Sequence, residues 1–416
     1  MKKILFYVDH KFRDLPSLAR IGYILKNKGY KVYFAPLWLW EVSIDKDIIV
    51  LNKPLFKNEY KKYNWNNKKI IIIESEGCNQ DFPIFKRRVL MNVDLYFFWS
   101  EFEKKKYEKI NHIKKKIVAG CPRMDFVNDK IYPKKNSFKL IKKKIKILNS
   151  NTKIITIATS TQEAHLGSKK IKTILQRRNS QFVQSMDYLM HVKNTKKNLN
   201  FTKEILKKIK KIIKNNYLIL IKPHPNEDYL FWEKLVQNLG SNFFLLKDIL
   251  INDLINISNY HIAHNGCTTI FEAKLKKIPC GEIYGPLTKK LIHKDHLNLS
   301  DDKINSINDI KKIINNIQTN KIKSKKIDHN YIKKYFFKID NKRCDHYAKE
   351  IDLFIKTIKI EKKNKINFFY FKCKFIGIMK EIFFYLKSFI KVADQRNRYD
   401  SRIKLNDYKI WYQKFK

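Results

Sequence analysis

The sequence predicts an α/β protein made of two doubly wound, parallel-sheet units followed by a helical C-terminal region. Three observations carry this reading. Short continuous apolar runs alternate with helical segments in both halves. Most of these runs end in a polar, glycine- or proline-marked loop. The 416 residues exceed what one ordinary core organises. The expected division is 1–135 for a first unit, 136–150 for a lysine-rich linker with room for one helix, 151–330 for a second unit and 331–416 for a helical region.

In the first half, Ile4–Val8 is apolar throughout, the mark of a strand covered on both faces. Asp14 and Pro16 signal a helix start, Leu18, Ile21 and Leu25 share one helical face, and Gly29 ends the helix before the strand Lys31–Phe34. The unit lacks Gly-x-Gly-x-x-Gly, so it carries no dinucleotide fingerprint. Ile48–Leu51 and Ile70–Ile73 are further strands, and the second runs into Glu74-Ser75-Glu76-Gly77. Carboxylates beyond the carboxyl end of a buried strand occupy the place where open α/β sheets put chemistry, although a solvated loop explains them equally well. Strands at Asp94–Trp99 and Lys116–Ala119 follow, the latter leading into Gly120-Cys121-Pro122-Arg123-Met124-Asp125. That loop could position a phosphate or simply turn the chain, with Arg123 paired to Asp125.

In the second half, Ile154–Ala158 ends in Thr159-Ser160-Thr161-Gln162, hydroxyl groups suited to a phosphate or to a helix cap. Phe201–Ile213 reads as a basic amphipathic helix, and the strand Tyr217–Ile221 leads into Lys222-Pro223-His224-Pro225. The two prolines fix the backbone around His224 and hold its imidazole ready to donate to a phosphate or a leaving-group oxygen. Phe243–Leu246 is another strand. Tyr260–Ala263 then enters the turn His264-Asn265-Gly266-Cys267 and a helix beginning near Thr269. A helix N-terminus after a strand is a ready anion site, and this turn and Lys222–Pro225 are expected to face each other across the top of one parallel sheet. Thr269 as N-cap with Glu272 three residues on also fits a capping box. Asp301–Thr319 carries isoleucines at helical spacing.

Net charge is +49, with 88 Lys and Arg against 39 Asp and Glu. Such a balance points towards nucleic acid or an anionic membrane. No helix-turn-helix, RNP or zinc-finger pattern supports a specific nucleic-acid role, and heavy Lys, Ile and Asn usage offers a compositional cause. The six cysteines form no Cys-x-x-Cys pair, so neither a disulfide framework nor a zinc site is indicated and a reducing cytoplasm fits. The apolar run at the start is too short for a signal peptide, and no transmembrane helix is expected.

Several of these stretches together resemble the glycosyltransferase-B (GT-B) superfamily, and within it the bacterial surface-carbohydrate biosynthesis proteins related to Kdo transferases and CDP-glycerol glycerophosphotransferases. The pieces are Tyr7 to Leu15, Glu74-Ser75-Glu76-Gly77, Gly120 to Asp125, Lys222-Pro223-His224-Pro225, His264 to Thr269 and Asp340-Asn341-Lys342-Arg343-Cys344-Asp345. They cover residues 1 to about 350. Cys121 departs from the relatives, which tend to carry Asn before Pro-Arg.

The resemblance implies two Rossmann-like domains facing a cleft. The second would bind a nucleotide-activated donor, CMP- or CDP-linked among the candidates. The first would bind a lipid-linked or polysaccharide acceptor. It implies no cofactor and no metal. The implied donor-binding residues are Lys222, His224, Asn265, Gly266, Thr268, Thr269 and Glu272, with the hydroxyls of Thr159 and Ser160 beside them. Glu76 and His224 would be catalytic, and Asp9, Arg13, Asp14 and Arg123 would lie on the acceptor side. Fixed donors aimed at the leaving phosphate would stabilise developing charge, while a carboxylate opposite would deprotonate the acceptor or attack the anomeric carbon. Two other readings remain open: a UDP-sugar 2-epimerase of the same fold, and a polybasic protein that binds membrane or nucleic acid without catalysis.

Beyond about residue 355, Phe368, Phe371, Phe375, Ile378, Ile382, Tyr385, Phe389 and Val392 recur every three or four residues, with lysines on the far side. This basic amphipathic helix either packs on its own globule or lies at an anionic inner-membrane surface; a self-associating coil suits aromatic residues less well.

Overall fold

The computed structural model describes residues 1–55, 65, 67–75, 91–127, 134–168, 171–172, 185–225, 227–264, 266–285, 294–296, 298–358, 375–380, 382–383, 403 and 407–415. Glu76 and Asn265 lie outside these residues. The chain divides into two compact units, one drawn from Met1–Cys78, Arg87–Phe126 and His329–Lys416 and the other centred on Val127–Asp328.

Among the described residues the first unit holds six parallel strands: β1 (Lys3–Tyr7), β2 (Lys31–Ala35), β3 (Ile48–Leu51), β4 (Lys69–Ile73), β5 (Val93–Phe98) and β6 (Ile113–Val118). Their order is β2-β1-β3-β4-β5-β6. The inner strands are the continuous apolar runs of the sequence; Ile4, Leu5 and Phe6 of β1 are fully buried. β6 is an edge strand, and its exposed Lys114 and Lys115 blunt it against pairing with another chain. Helix α1 (Leu15–Asn27) buries Leu18, Ile21 and Leu25, as their spacing predicts.

The second unit repeats the plan with β7 (Lys153–Ala158), β8 (Tyr217–Lys222), β9 (Phe243–Leu245), β10 (Tyr260–His264), β11 (Cys280–Ile283) and β12 (Asp302–Ile304), in the order β12-β11-β10-β7-β8-β9. Its helices include α2 (Lys134–Lys144), α3 (Ser185–Ile212), α4 (Tyr229–Gln237), α5 (Ile251–Ile257), α6 (Thr268–Leu275) and α7 (Ile307–Gln318). Ile155, Ile157, Ile219 and Ile221 form one core with Ile205 and Ile209 of α3 and the isoleucines of α7. The opposite face takes Ile141 of α2 with Ile145 and Leu148, packed on Ile154, Leu218 and Leu220. The stretch expected as a linker, 136–150, is therefore largely a covering layer of the second sheet. Its lysines hid three buried apolar residues at helical spacing.

Two local expectations also differ. Asp302–Ile304 is a strand, and only then does α7 begin, at Ser306 with a capping box to Asp309. The helix read as Phe201–Ile213 starts sixteen residues earlier in a single 28-residue helix, because its polar first half carries no strong periodicity.

From His329 the chain rejoins the first unit through α8 (His329–Phe336), α9 (Arg343–Thr357) and α10 (Tyr408–Phe415). Asp352 of α9 accepts from Lys28 Nζ at 2.9 Å and Tyr30 Oη at 2.7 Å, beside the end of α1. In α10, Tyr408 stacks on Phe34 at 5.0 Å and Tyr412 meets Tyr23 edge-on at 5.4 Å. Gly22 admits this approach, since a Cβ there would meet Phe34 Cζ at 2.6 Å. The described helices of 331–416 thus complete the first unit and form no separate region. No helix among the described residues is long and apolar enough to cross a membrane.

Candidate functional site

An open parallel sheet binds ligands beyond the carboxyl ends of its strands, where the strand order reverses and neighbouring loops part in opposite directions. In the second unit that point lies between β7 and β10. The loops flanking it are Thr159–Gln162 and His264–Cys267, and β8 next to β7 contributes Pro223-His224-Pro225. The fold therefore gathers Thr159, Ser160, Lys222, His224, Gly266, Thr268 and Thr269 at the carboxyl edge of three adjacent strands, with the Thr159–Gln162 loop between the two that were expected to face each other.

Within that group the side chains divide by direction. His264 is a pin: its Nδ1 accepts the Ser160 N–H at 2.8 Å, so the neutral ring carries its proton on Nε2 and donates to Thr202 Oγ1 at 2.8 Å. Burial lowers its pKa to about 4, consistent with a neutral ring. Thr159 also turns inward, donating to Glu227 Oε2 at 2.5 Å. Glu227 further accepts from Thr161 N–H, from Thr161 Oγ1 at 3.1 Å and from Trp232 Nε1 at 2.6 Å. Burial pushes this carboxyl up to about 7 against the pull of those donors. Ser160, half-buried, donates its hydroxyl only within the loop, to Gln162 Oε1 at a long 3.4 Å, and so is the hydroxyl of this loop that best fits a ligand.

The turn after β10 is built differently from the expectation. Helix α6 starts at Thr268 with Cys267 at the N-cap and no side-chain cap. Thr269 lies inside the helix and its Oγ1 meets His261 Nε2 at 2.9 Å, so the capping box between Thr269 and Glu272 does not form. Gly266 adopts φ +74, and its N–H donates to Glu282 Oε1 at 3.1 Å. Burial raises the Glu282 carboxyl to about 7. Glu272 is buried in the second turn of α6. Lys222 Nζ donates to Lys247 O at 2.8 Å, and burial lowers its pKa to about 8.

Sequence reasoning missed Glu163 and His191. His191 Nε2 lies 3.3 Å from Glu163 Oε2. Burial works to raise the Glu163 carboxyl, but His191, with a smaller contribution from His224, holds it below its usual value. Glu227 and Glu282 were missed too. A carboxylate that braces a loop from beneath has no spacing rule to announce it.

In the first unit the order reverses at β1, between β1 and β3. Arg13, Asp14, Asn52, Glu74, Ser75 and Arg123 line one small pocket here, with room for about 20 Å³ of water. Three of the four predicted acceptor-side residues are thus brought together. Asp14 stands at the N-cap position of α1 without capping it; its carboxylate accepts instead from Arg13 Nε at 2.8 Å and Asn52 Nδ2 at 3.0 Å. Asp9 pairs with Lys53 at 2.9 Å and with Arg13 at 3.7 Å. Burial opposes its charge, yet the two cations hold its carboxyl well below the ordinary range. Glu74 is turned inward, accepting from Tyr96 Oη at 2.8 Å.

The loop Gly120–Asp125 has mainly a structural task. Asp125 takes the backbone N–H groups of Arg343 and Cys344 at 3.1 and 2.7 Å, capping α9, so it is not chiefly the partner of Arg123. Arg343 in turn reaches Asp340 at 2.6 Å and Ala119 O at 3.1 Å. Two of the stretches that carry the family resemblance are therefore one joint. The Arg123 guanidinium stands 5.8 Å from the Trp99 ring, at the pocket edge.

No protein-family model matches the chain, and no curated protein matches its sequence. Its structure is similar to that of the wall teichoic acid polymerase TagF from a crystal soaked with CDPG. The two share 14% identity with a TM-score of 0.55, over 85% of this chain and 88% of that one. It is also similar to UDP-GlcNAc 2-epimerase from Neisseria meningitidis bound to UDP-GlcNAc, at 16% identity and a TM-score of 0.50, over 86% of this chain and all of the other. The chain has the two-unit α/β fold of the GT-B type.

Proposed function

We propose that the protein is a metal-independent transferase of the GT-B type. It moves a sugar or polyol phosphate from a nucleotide-activated donor to a surface-polysaccharide or lipid-linked acceptor. The observation that carries this is the β7/β10 switch point, where Ser160, His224 and the start of α6 converge on one carboxyl edge. Backbone N–H groups at the α6 N-terminus, the Ser160 hydroxyl and the His224 imidazole are donors suited to a phosphate whose charge grows as the bond to the sugar breaks. Lys222, Asn265, Gly266, Thr268, Thr269 and Glu272 complete the donor side of this reading, with Thr159 bracing the loop. Glu76 is the proposed base towards the acceptor, and Asp9, Arg13, Asp14 and Arg123 complete the acceptor side of this reading. The similarity to a CDPG-soaked polymerase supports a nucleotide-activated donor.

His224→Ala tests the site. Transfer is expected to fall by about 10²–10³ with folding retained, read as donor turnover together with thermal-shift binding of CMP, CDP, UDP and GDP. A fully active variant would sink the assignment. The similarity to a UDP-GlcNAc 2-epimerase supports a second reading, in which UDP is released from a UDP-sugar without any acceptor. Acceptor-independent nucleotide release would favour it.

A further inference from the structure

The helical residues 375–380 and 382–383 belong to the first unit, and their polarity is inverted. Phe375, Ile378, Met379, Ile382 and Phe383 are 64, 52, 49, 48 and 53% exposed. Their spacing of three, four, seven and eight residues puts them on one face of a helix, the stripe that ordinarily covers a core. The other side meets the protein. Gly377 is buried, and a Cβ there would lie 3.7 Å from Glu41 Cβ. Lys380 pairs with Glu41, whose side chain is 2% exposed, and its Nζ stands 5.7 Å from the Trp40 ring. This anchoring is specific, because losing Lys380 would leave a buried carboxylate without its cation. The small and charged residues are thus held against the fold, and the apolar stripe is held outward.

We propose that this outward stripe inserts into an anionic lipid surface. The charge of the segment selects that occupant. Residues 362–391 contain eight lysines against the single carboxylate of Glu381, with nine Phe and Tyr among them. Lysines flanking aromatic and aliphatic residues suit the boundary between acidic headgroups and acyl chains. A second copy is a poor occupant: each chain carries +49, and stacking two such stripes would bring two lysine-rich segments together. The proposal is independent of the transfer reading and stands if that reading fails.

The test is co-sedimentation of the full chain with phosphatidylcholine vesicles that do or do not contain phosphatidylglycerol. Binding is expected only with phosphatidylglycerol, weakening as salt rises. Ile378→Ser combined with Ile382→Ser removes no charge and is expected to weaken that binding by about tenfold or more while the melting temperature holds; should the pair fail to fold, Ile378→Ser alone is read. Undiminished binding by the variant would reduce the interaction to charge alone and overturn the proposal. So would absence of vesicle binding, or a dimer in light scattering that the same variant dissociates.

Discussion

At the scale of single residues, His264 decides how the loop after β7 meets the end of β10. Its two ring nitrogens bridge Ser160 N–H and Thr202 Oγ1, so only the neutral ring with a proton on Nε2 serves both. Burial lowers its pKa from 6.5 to about 4. Above pH 6.5 the ring is neutral whether folded or unfolded, and its contribution is fully present. As pH falls from 6.5 towards 4, the unfolded chain takes up a proton that the folded chain refuses, and stability is lost. His264→Gln keeps an acceptor and a donor but does not titrate. The wild type is expected to lose on the order of 3 kcal/mol relative to this variant across that interval, read from urea midpoints at each pH. Parallel curves for the two proteins would mean that the ring is not held neutral.

At the scale of elements, the joint between β6 and α9 rests on Gly120. Its φ is +80, and a Cβ would meet Arg343 Cδ at 2.7 Å and Phe336 O at 3.1 Å. Gly120→Ala is therefore expected to cost roughly 2 kcal/mol or more, from the left-handed backbone and the displaced Arg343 together. A denaturant midpoint within error of wild type would show that the joint yields. Elements also show why some of this molecule was legible in sequence and some was not. Inner strands such as β1, β3, β4, β7 and β8 were, because parallel strands covered on both faces are apolar nearly throughout, whereas the edge strand β6, expected at Lys116–Ala119, starts three residues earlier among exposed lysines. β12 was not, since Asp302-Lys303-Ile304 is a short polar edge that reads as the approach to the next helix. The loops bearing Ser160, His224 and Gly266 could be read as strand ends, and those of His224 and Gly266 as facing each other across one sheet; that the Ser160 loop stands between them follows from the strand order β10-β7-β8 and could not be read. Asp125 and Arg343 lie 218 residues apart, so both stretches could be recognised while their contact could not.

At the scale of the whole molecule, the charge of +49 is the dominant long-range feature. Pairing relieves little of it. Lys274–Asp301, with side chains only 2 and 4% exposed, is a deeply buried ion pair. Lys114–Asp94 and Lys144–Asp248 are partly exposed pairs of the kind that contribute little. Compacting so many like charges opposes folding through self-repulsion, and that repulsion acts over the Debye length. Moving from about 0.01 M to about 0.15 M sodium chloride shortens this length from about 30 Å to about 8 Å. Screening should weaken lysine–lysine repulsion across exposed surfaces such as α2 and α3 more than it weakens the buried pairs. The melting temperature should therefore rise over that interval, while vesicle binding through residues 375–383 falls. Opposite responses to one variable separate the two roles of the charge, a burden on the fold and an attraction to acidic lipid. A melting temperature that drops with salt would show that attractive surface pairs outweigh repulsion.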